Sequence, residues 1–161
     1  MIRPLTRADD AAVFALLQAS ADYIRMERDE EPSIGLVEEF FTDAPPGLSA
    51  ENSYHAGLFD GAVLLALAEM SFGYPQPGDS YLGLMMVRGT ARGQGAGAQM
   101  LRHLEDVARA RGARQMFLAV LHANPSGRAF WEREGFSDTG FAGQATLGRK
   151  TQAVQRLVKP L

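Results

Sequence analysis

Read for the spacing of its apolar and polar positions, the chain breaks into short elements of two periods. Ile2 to Leu5 reads as a short strand. Thr6 then caps a helix, with Asp9 three residues on and Val13, Leu16 and Leu17 on one face. Gly35 to Thr42 reads as a second short helix, stopped before Pro45-Pro46-Gly47. Ser53 to Phe59 and Ala62 to Ser71 read as strands flanking Asp60-Gly61, a two-residue hairpin signal. After the turn-rich Pro75-Gln76-Pro77-Gly78-Asp79 comes a third strand, Tyr81 to Val87. A loop, Arg88 to Gln94, leads into a helix with Met100, Leu101, Leu104, Val107 and Ala108 at helical spacing, ended by Gly112. Gln115 to Leu121 is dense in apolar residues, as a strand covered on both faces must be. Asn124-Pro125 supplies an N-cap and a proline at the first helical position, and that helix runs to about Glu134 with Gly135 as its C-terminal cap. Strands near Phe136 to Phe141 and Gln152 to Val158 finish the chain.

The order β-α-α-β-β-β-α-β-α-β-β predicts an α+β fold, a mixed twisted sheet of six to seven strands flanked by about four helices. Its first half is antiparallel, and the helical crossover after Val87 pairs the strands around it in parallel. No repeat, low-complexity segment or Gly/Ser linker divides the sequence, so one domain is expected over residues 1–161.

Composition narrows the chemistry. A net charge of -3 lacks the clustered Lys and Arg that non-specific nucleic-acid binding needs. The absence of cysteine removes disulfides, a thiolate nucleophile and Cys-built zinc sites. His55, His103 and His122 stand too far apart for a helical metal pair, and no metal is expected. Met1-Ile2-Arg3-Pro4-Leu5 has no secretory character, and the most apolar run, Ala62 to Ala68, falls far short of the roughly 20 residues of a membrane helix. A soluble, cytoplasmic protein without membrane partners is expected.

The segment richest in chemistry is Arg92-Gly93-Gln94-Gly95-Ala96-Gly97-Ala98, between a strand and a helix. Alternating glycines let backbone approach a ligand closely, and N–H groups at a helix N-terminus attract anions. Arg92 adds a charged donor suited to phosphate. A diphosphate is the natural guest. The same residues satisfy the dinucleotide pattern as Gly93, Gly95 and Ala98, but Arg88 to Arg92 intervene after the strand. Gln115 to Leu121 also ends in His122-Ala123-Asn124, without the carboxylate that would hold a ribose. No Gly-Lys-Ser/Thr is present for a P-loop.

Tyr81 to Val87 followed by Arg92 to Ala98 resembles the R/Q-x-x-G-x-G/A motif of the GCN5-related N-acetyltransferase (GNAT) family. Asn124, then Ala129-Phe130-Trp131-Glu132-Arg133-Glu134-Gly135-Phe136, is similar to that family's second motif, and the end Leu157-Val158-Lys159-Pro160-Leu161 is also family-like. The resemblance implies a GNAT-like acyl-CoA N-acyltransferase fold with acetyl-CoA as co-substrate. It implies that the strand before the glycine loop splays from the next one, so that Met85, Met86 and Val87 offer backbone to the pantetheine arm. Arg92, Gly93, Gln94, Gly95, Ala96, Gly97 and Ala98 would then cradle the pyrophosphate, and Asn124 would touch the cofactor arm besides capping its helix.

Direct attack by an amine on the thioester is the simplest reaction, since neither cysteine nor a Gly-x-Ser-x-Gly elbow is present. An alkylamine of pKa about 10.4 is only about one part in 10³ neutral at pH 7, so a base is required. Glu69, a charge within an apolar strand, is the candidate base, its plainer role being an outward-facing strand residue. Tyr81 lies where some relatives keep a catalytic carboxylate and is a candidate for orienting a water. A backbone N–H near Met85 or Met86 is the candidate oxyanion donor. The family's proton-donating tyrosine is replaced here by Trp131, whose indole donates a hydrogen bond but no proton. That departure keeps a second reading alive, a non-catalytic acyl-CoA binder or sensor of the same fold. The acidic run Glu27-Arg28-Asp29-Glu30-Glu31 sits where relatives build the acceptor pocket, although such runs are more often solvated loops. The acceptor remains open between small-molecule and protein or peptide amines. Relatives often dimerise, so a homodimer is carried as an expectation.

Overall fold

The computed structural model describes all residues, Met1–Leu161. The expected Thr6/Asp9 capping box forms, with the Asp9 carboxylate accepting the Thr6 N–H at 2.9 Å. It opens a 3-10 turn, Arg7–Asp9, that runs into helix α1, Asp10–Ala19. A further helix that the sequence pattern did not mark follows at once: α2, Ala21–Arg28. It buries only Ile24 fully, so no apolar stripe announces it, and it breaks from α1 at Ser20, whose hydroxyl donates to the Val87 carbonyl. Asp29 adopts the left-handed conformation (φ 53°) and ends α2, so Glu27 and Arg28 are helical, not part of a loop. Helix α3, Ile34–Thr42, is capped by the Ser33 hydroxyl.

Seven strands make one sheet: β1 (Ile2–Pro4), β2 (Ser53–Asp60), β3 (Val63–Phe72), β4 (Asp79–Val87), β5 (Gln115–Leu121), β6 (Ser137–Leu147) and β7 (Lys150–Pro160). Helices α4 (Ala96–Ala110) and α5 (Pro125–Arg133) complete the chain. The strand order is β1-β2-β3-β4-β5-β7-β6, and only β4 and β5 run parallel. The β2–β3 register opposes Asp60 to Val63, so the turn is Gly61-Ala62, one residue beyond the expected pair. The core lies in two layers. Alternate residues of β3, such as Ala66, Ala68 and Met70, pack under Met100, Leu101 and Leu104 of α4. Leu64 and Leu67 face the other way, against Val13, Leu16 and Leu17 of α1.

Three irregularities shape the site. β4 and β5 pair only over Asp79–Tyr81 opposite Gln115–Phe117, and beyond Tyr81 they part. Between β3 and β4, Glu69 opposes Leu84 while Met70 opposes Leu82, which leaves Gly83 as the extra residue of a β-bulge. Finally, β6 and β7 run well past the expected limits. Their polar sequence hides the strands, and the hairpin reaches the end of α2. There the Lys150 ammonium donates to the Met26 carbonyl at 2.9 Å, the Gln152 amide to Glu27 at 2.9 Å and the Arg149 N–H to Arg28 at 3.0 Å. These are helix C-terminal carbonyls that no helical N–H can satisfy.

Candidate active site: two cavities that meet at Met86

The parting of β4 from β5 opens a groove of about 590 Å³ floored by Met85, Met86 and Val87 and headed by the start of α4. The Arg88 N–H bonds to the Leu65 carbonyl at 2.7 Å. Backbone groups in an antiparallel ladder alternate in direction. Met86, opposite Leu67, therefore turns its amide toward β3, while Met85 and Val87 present theirs to the gap. Of the two expected oxyanion donors, Met85 has the amide on the open side. Met86 instead lines both cavities, with its side chain packed in the layer of α1 and α3.

At the head of the groove Gly93 and Gly95 take φ 76° and 87°, conformations that residues with a Cβ enter at a cost of about 1–2 kcal/mol. The first bond of α4 runs from the Gln99 N–H to the Gly95 carbonyl, and the amides of Ala96, Gly97 and Ala98 ahead of it have no helical acceptor. A Cβ on Gly97 would stand 3.3 Å from the Phe130 ring, so glycine lets α5 close against α4. Arg92 lines the groove, but its guanidinium is turned to α2, where it grips Asp22 at 2.7 and 3.2 Å. That partner holds the Asp22 carboxyl below its ordinary range. Gln94 bonds back to the Thr90 carbonyl, and its side chain does not line the groove. Asn124 does line it while accepting the Gly127 N–H at 3.0 Å as the cap of α5. Trp131 packs edge-on between Phe130 and Phe136.

The second cavity, about 290 Å³, lies on the opposite face of β4, between the sheet and helices α2 and α3. Glu69 and Tyr81, distant in sequence from the glycine loop, both line it. Glu69 does not face outward, for it is only 7% exposed. The bulge makes its room, because a Cβ on Gly83 would collide with Glu69 Oε2. Ser53 and Ser71 are hydrogen-bonded at 2.9 Å, and the Ser71 hydroxyl donates to Glu69 Oε1 at 2.7 Å. Burial pushes the Glu69 carboxyl up against the pull of those hydroxyls, and Asp43 nearby adds to the rise. Tyr81 is likewise raised, chiefly by burial.

Sequence reasoning missed several members of this cavity. Glu39 and Asp43 from α3 and its end, and Tyr74 before β4, carry no motif. The acidic run divides: Glu27 and Arg28 line the cavity, while Glu31 pairs with Arg25 in solvent. Burial raises the Glu27 carboxyl, and Tyr23 beside it is raised far above the usual phenol range, again by burial first. Tyr23 itself lines the groove, so this pair spans from one cavity to the other.

The family model described as "Acetyltransferase (GNAT) family" matches residues 14–136. Among solved structures, an acetyltransferase from Thermus thermophilus is 24% identical, with a TM-score of 0.78 over 100% of this chain and 96% of that one. A ribosomal-protein-alanine N-acetyltransferase from Brucella melitensis is 18% identical, with a TM-score of 0.75 over 100% and 99%. The PaiA N-acetyltransferase from Thermoplasma acidophilum, solved in complex with coenzyme A, is 15% identical with a TM-score of 0.73 over 100% and 98%. At these identities the likeness is one of fold. No curated protein matches the chain by sequence.

Proposed function

Because the chain belongs to the GNAT acetyltransferase family, we propose that it moves an acetyl group from acetyl-CoA to a primary amine by direct attack, as a single domain over residues 1–161. The observation that carries this reading is the contact of the two cavities across Met86. One has the unpaired amides and open left-handed glycines that fit a diphosphate and an extended amide-bearing arm. The other has a desolvated carboxylate. Acetyl-CoA would supply the activated acetyl group, with its pyrophosphate at Gly93 to Ala98 and its arm along Met85 and Val87.

This chain's residues then do three things. The apolar walls and strand edges hold amine and thioester together, the effect worth most, about 7–11 kcal/mol. Glu69 takes the proton from the incoming ammonium, and desolvation makes it a stronger base than a surface glutamate. The Met85 N–H stabilises negative charge on the thioester oxygen. The leaving thiolate, of pKa about 8.5, is tolerable without a strong acid, consistent with an indole at Trp131. Tyr81 keeps the role of a water-orienting hydroxyl beside Glu69.

Thiol release from acetyl-CoA over a panel of primary amines tests the proposal. Turnover with at least one amine, with CoA binding seen by calorimetry, is expected. CoA binding with no turnover on any amine would favour a non-catalytic binder.

A further inference from the structure

Two cations line the groove at the head of α4, Arg92 and Arg133. They differ in what they already hold. Arg92 gives its terminal nitrogens to Asp22 at 2.7 and 3.2 Å and its Nε to the Val87 carbonyl at 3.3 Å. The motif arginine and its partner therefore add no net charge. Arg133, in the last turn of α5, is exposed, and its guanidinium stands in no ion pair and no hydrogen bond. The carboxylates on either side do not neutralise it. Glu132 is bonded to Arg128 at 2.7 Å, and Glu134 to Arg102 at 3.1 Å. One uncommitted positive charge is left on the groove wall.

Its position suits a phosphate. Ser126, Phe130 and Arg133 fall at i, i+4 and i+7 of α5 and all three line the groove, so they form one stripe along it. Phe130 marks the level of the glycine loop, since a Cβ on Gly97 would stand 3.3 Å from its ring. Arg133 follows one turn later, a rise of roughly 4.5 Å, which an extended arginine side chain spans. Ala96, Gly97 and Ala98 line the same groove and bring the positive end of α4 to it. Backbone amides of one helix and a guanidinium of another thus serve one anion-binding groove.

We propose that the side-chain charge holding the cofactor comes from α5, through Arg133 bonded to a phosphate of CoA, and not from Arg92 of the glycine motif. The assignment rests on the acetyl-CoA reading above and adds a specificity-determining residue to it. CoA offers two kinds of phosphate, the diphosphate and the ribose 3′-phosphate, and the guanidinium fork fits the oxygens of either. A cation at the carbonyl end of α5 also suits the helix dipole, a role that concerns stability and not ligand choice.

Calorimetry with CoA and dephospho-CoA, on the native protein and its variants, tests the assignment. A hydrogen bond to a charged group is worth a factor of about ten or more, so Arg133→Gln should raise the Kd for CoA about tenfold, with Arg133→Lys in between. A loss confined to CoA assigns the 3′-phosphate, and an equal loss with dephospho-CoA assigns the diphosphate. Thermal melts of the same variants record the helix role separately. Asp22→Asn combined with Arg92→Gln removes the other pair as a neutral unit and should change the Kd by less than about threefold. Native affinity in Arg133→Gln, or a loss in the double variant as large as that in Arg133→Gln, would overturn the assignment while leaving acetyl transfer intact. A native protein that binds no CoA would remove the reading beneath it.

Discussion

Glu69→Gln separates the chemical role of this residue from its structural one. Glutamine keeps the shape, and its amide oxygen can still accept from Ser71, but it cannot take a proton. General-base help is worth about 10²–10⁴-fold, or about 2.7–5.4 kcal/mol in activation free energy, so kcat/KM should fall by at least about a hundredfold. The groups facing the carboxyl are Ser53, Ser71, Asp43, Tyr81 and, across the β2–β3 pair, His55. Burial raises the folded-state pKa of Glu69 above its unfolded value. A carboxyl raised in this way gives stability that is full below the unfolded pKa and lost as pH rises through the folded pKa. Deleting the charge should therefore leave the variant as stable as the native protein in acid and more stable at pH 8. The native kcat/KM profile should lose activity as pH falls through the raised pKa, and the variant should lack that limb. The assays are thiol release from pH 5 to 9 and thermal melts at both extremes. An unchanged pH–rate profile with less than about a tenfold loss of rate would remove Glu69 as the base, and a variant less stable at pH 8 would refute the burial argument.

Further substitutions probe the other parts. Gly95→Ala forces a Cβ into a left-handed backbone with φ 87° but meets no neighbour; it should cost about 1–2 kcal/mol of stability and weaken CoA binding measured by calorimetry. Asp22→Ala frees the Arg92 guanidinium at an exposed ion pair, so stability should change by less than about 1 kcal/mol while CoA binds more tightly and with a steeper salt dependence. Lys159→Met leaves Glu105, which is 4% exposed, without its ion-pair partner. Denaturant unfolding should show a loss of about 3 kcal/mol.

Much of the groove at the head of α4 was written locally. The strand Tyr81 to Val87, the glycines after it and the Asn124-Pro125 cap are contiguous signals, and the neighbouring β4–β5 pair runs parallel as its helical crossover requires. The cavity around Glu69 was not legible in this way. Its wall comes from α2, α3, the β3–β4 bulge and the β6–β7 turn, segments that share no periodicity and meet only when the sheet forms. Helix α2 has one fully buried residue, and β6 is exposed along most of its length, so neither shows the apolar rhythm that marks an element. Glu69 was visible as a charge in an apolar strand. What sequence could not supply was Gly83 opposite it, whose missing side chain turns a misplaced charge into a lodged one.

The turn between β6 and β7 carries one more consequence. A Cβ on Gly148 would press on the Arg28 carbonyl and the Glu30 carboxylate, and Leu147 beside it lines the cavity that holds Glu69. Residues more than a hundred positions downstream thus govern how far the end of α2 stands from the sheet. Changes in that turn offer evolution a dial on the width of the cavity, one that leaves Glu69 and Tyr81 themselves untouched.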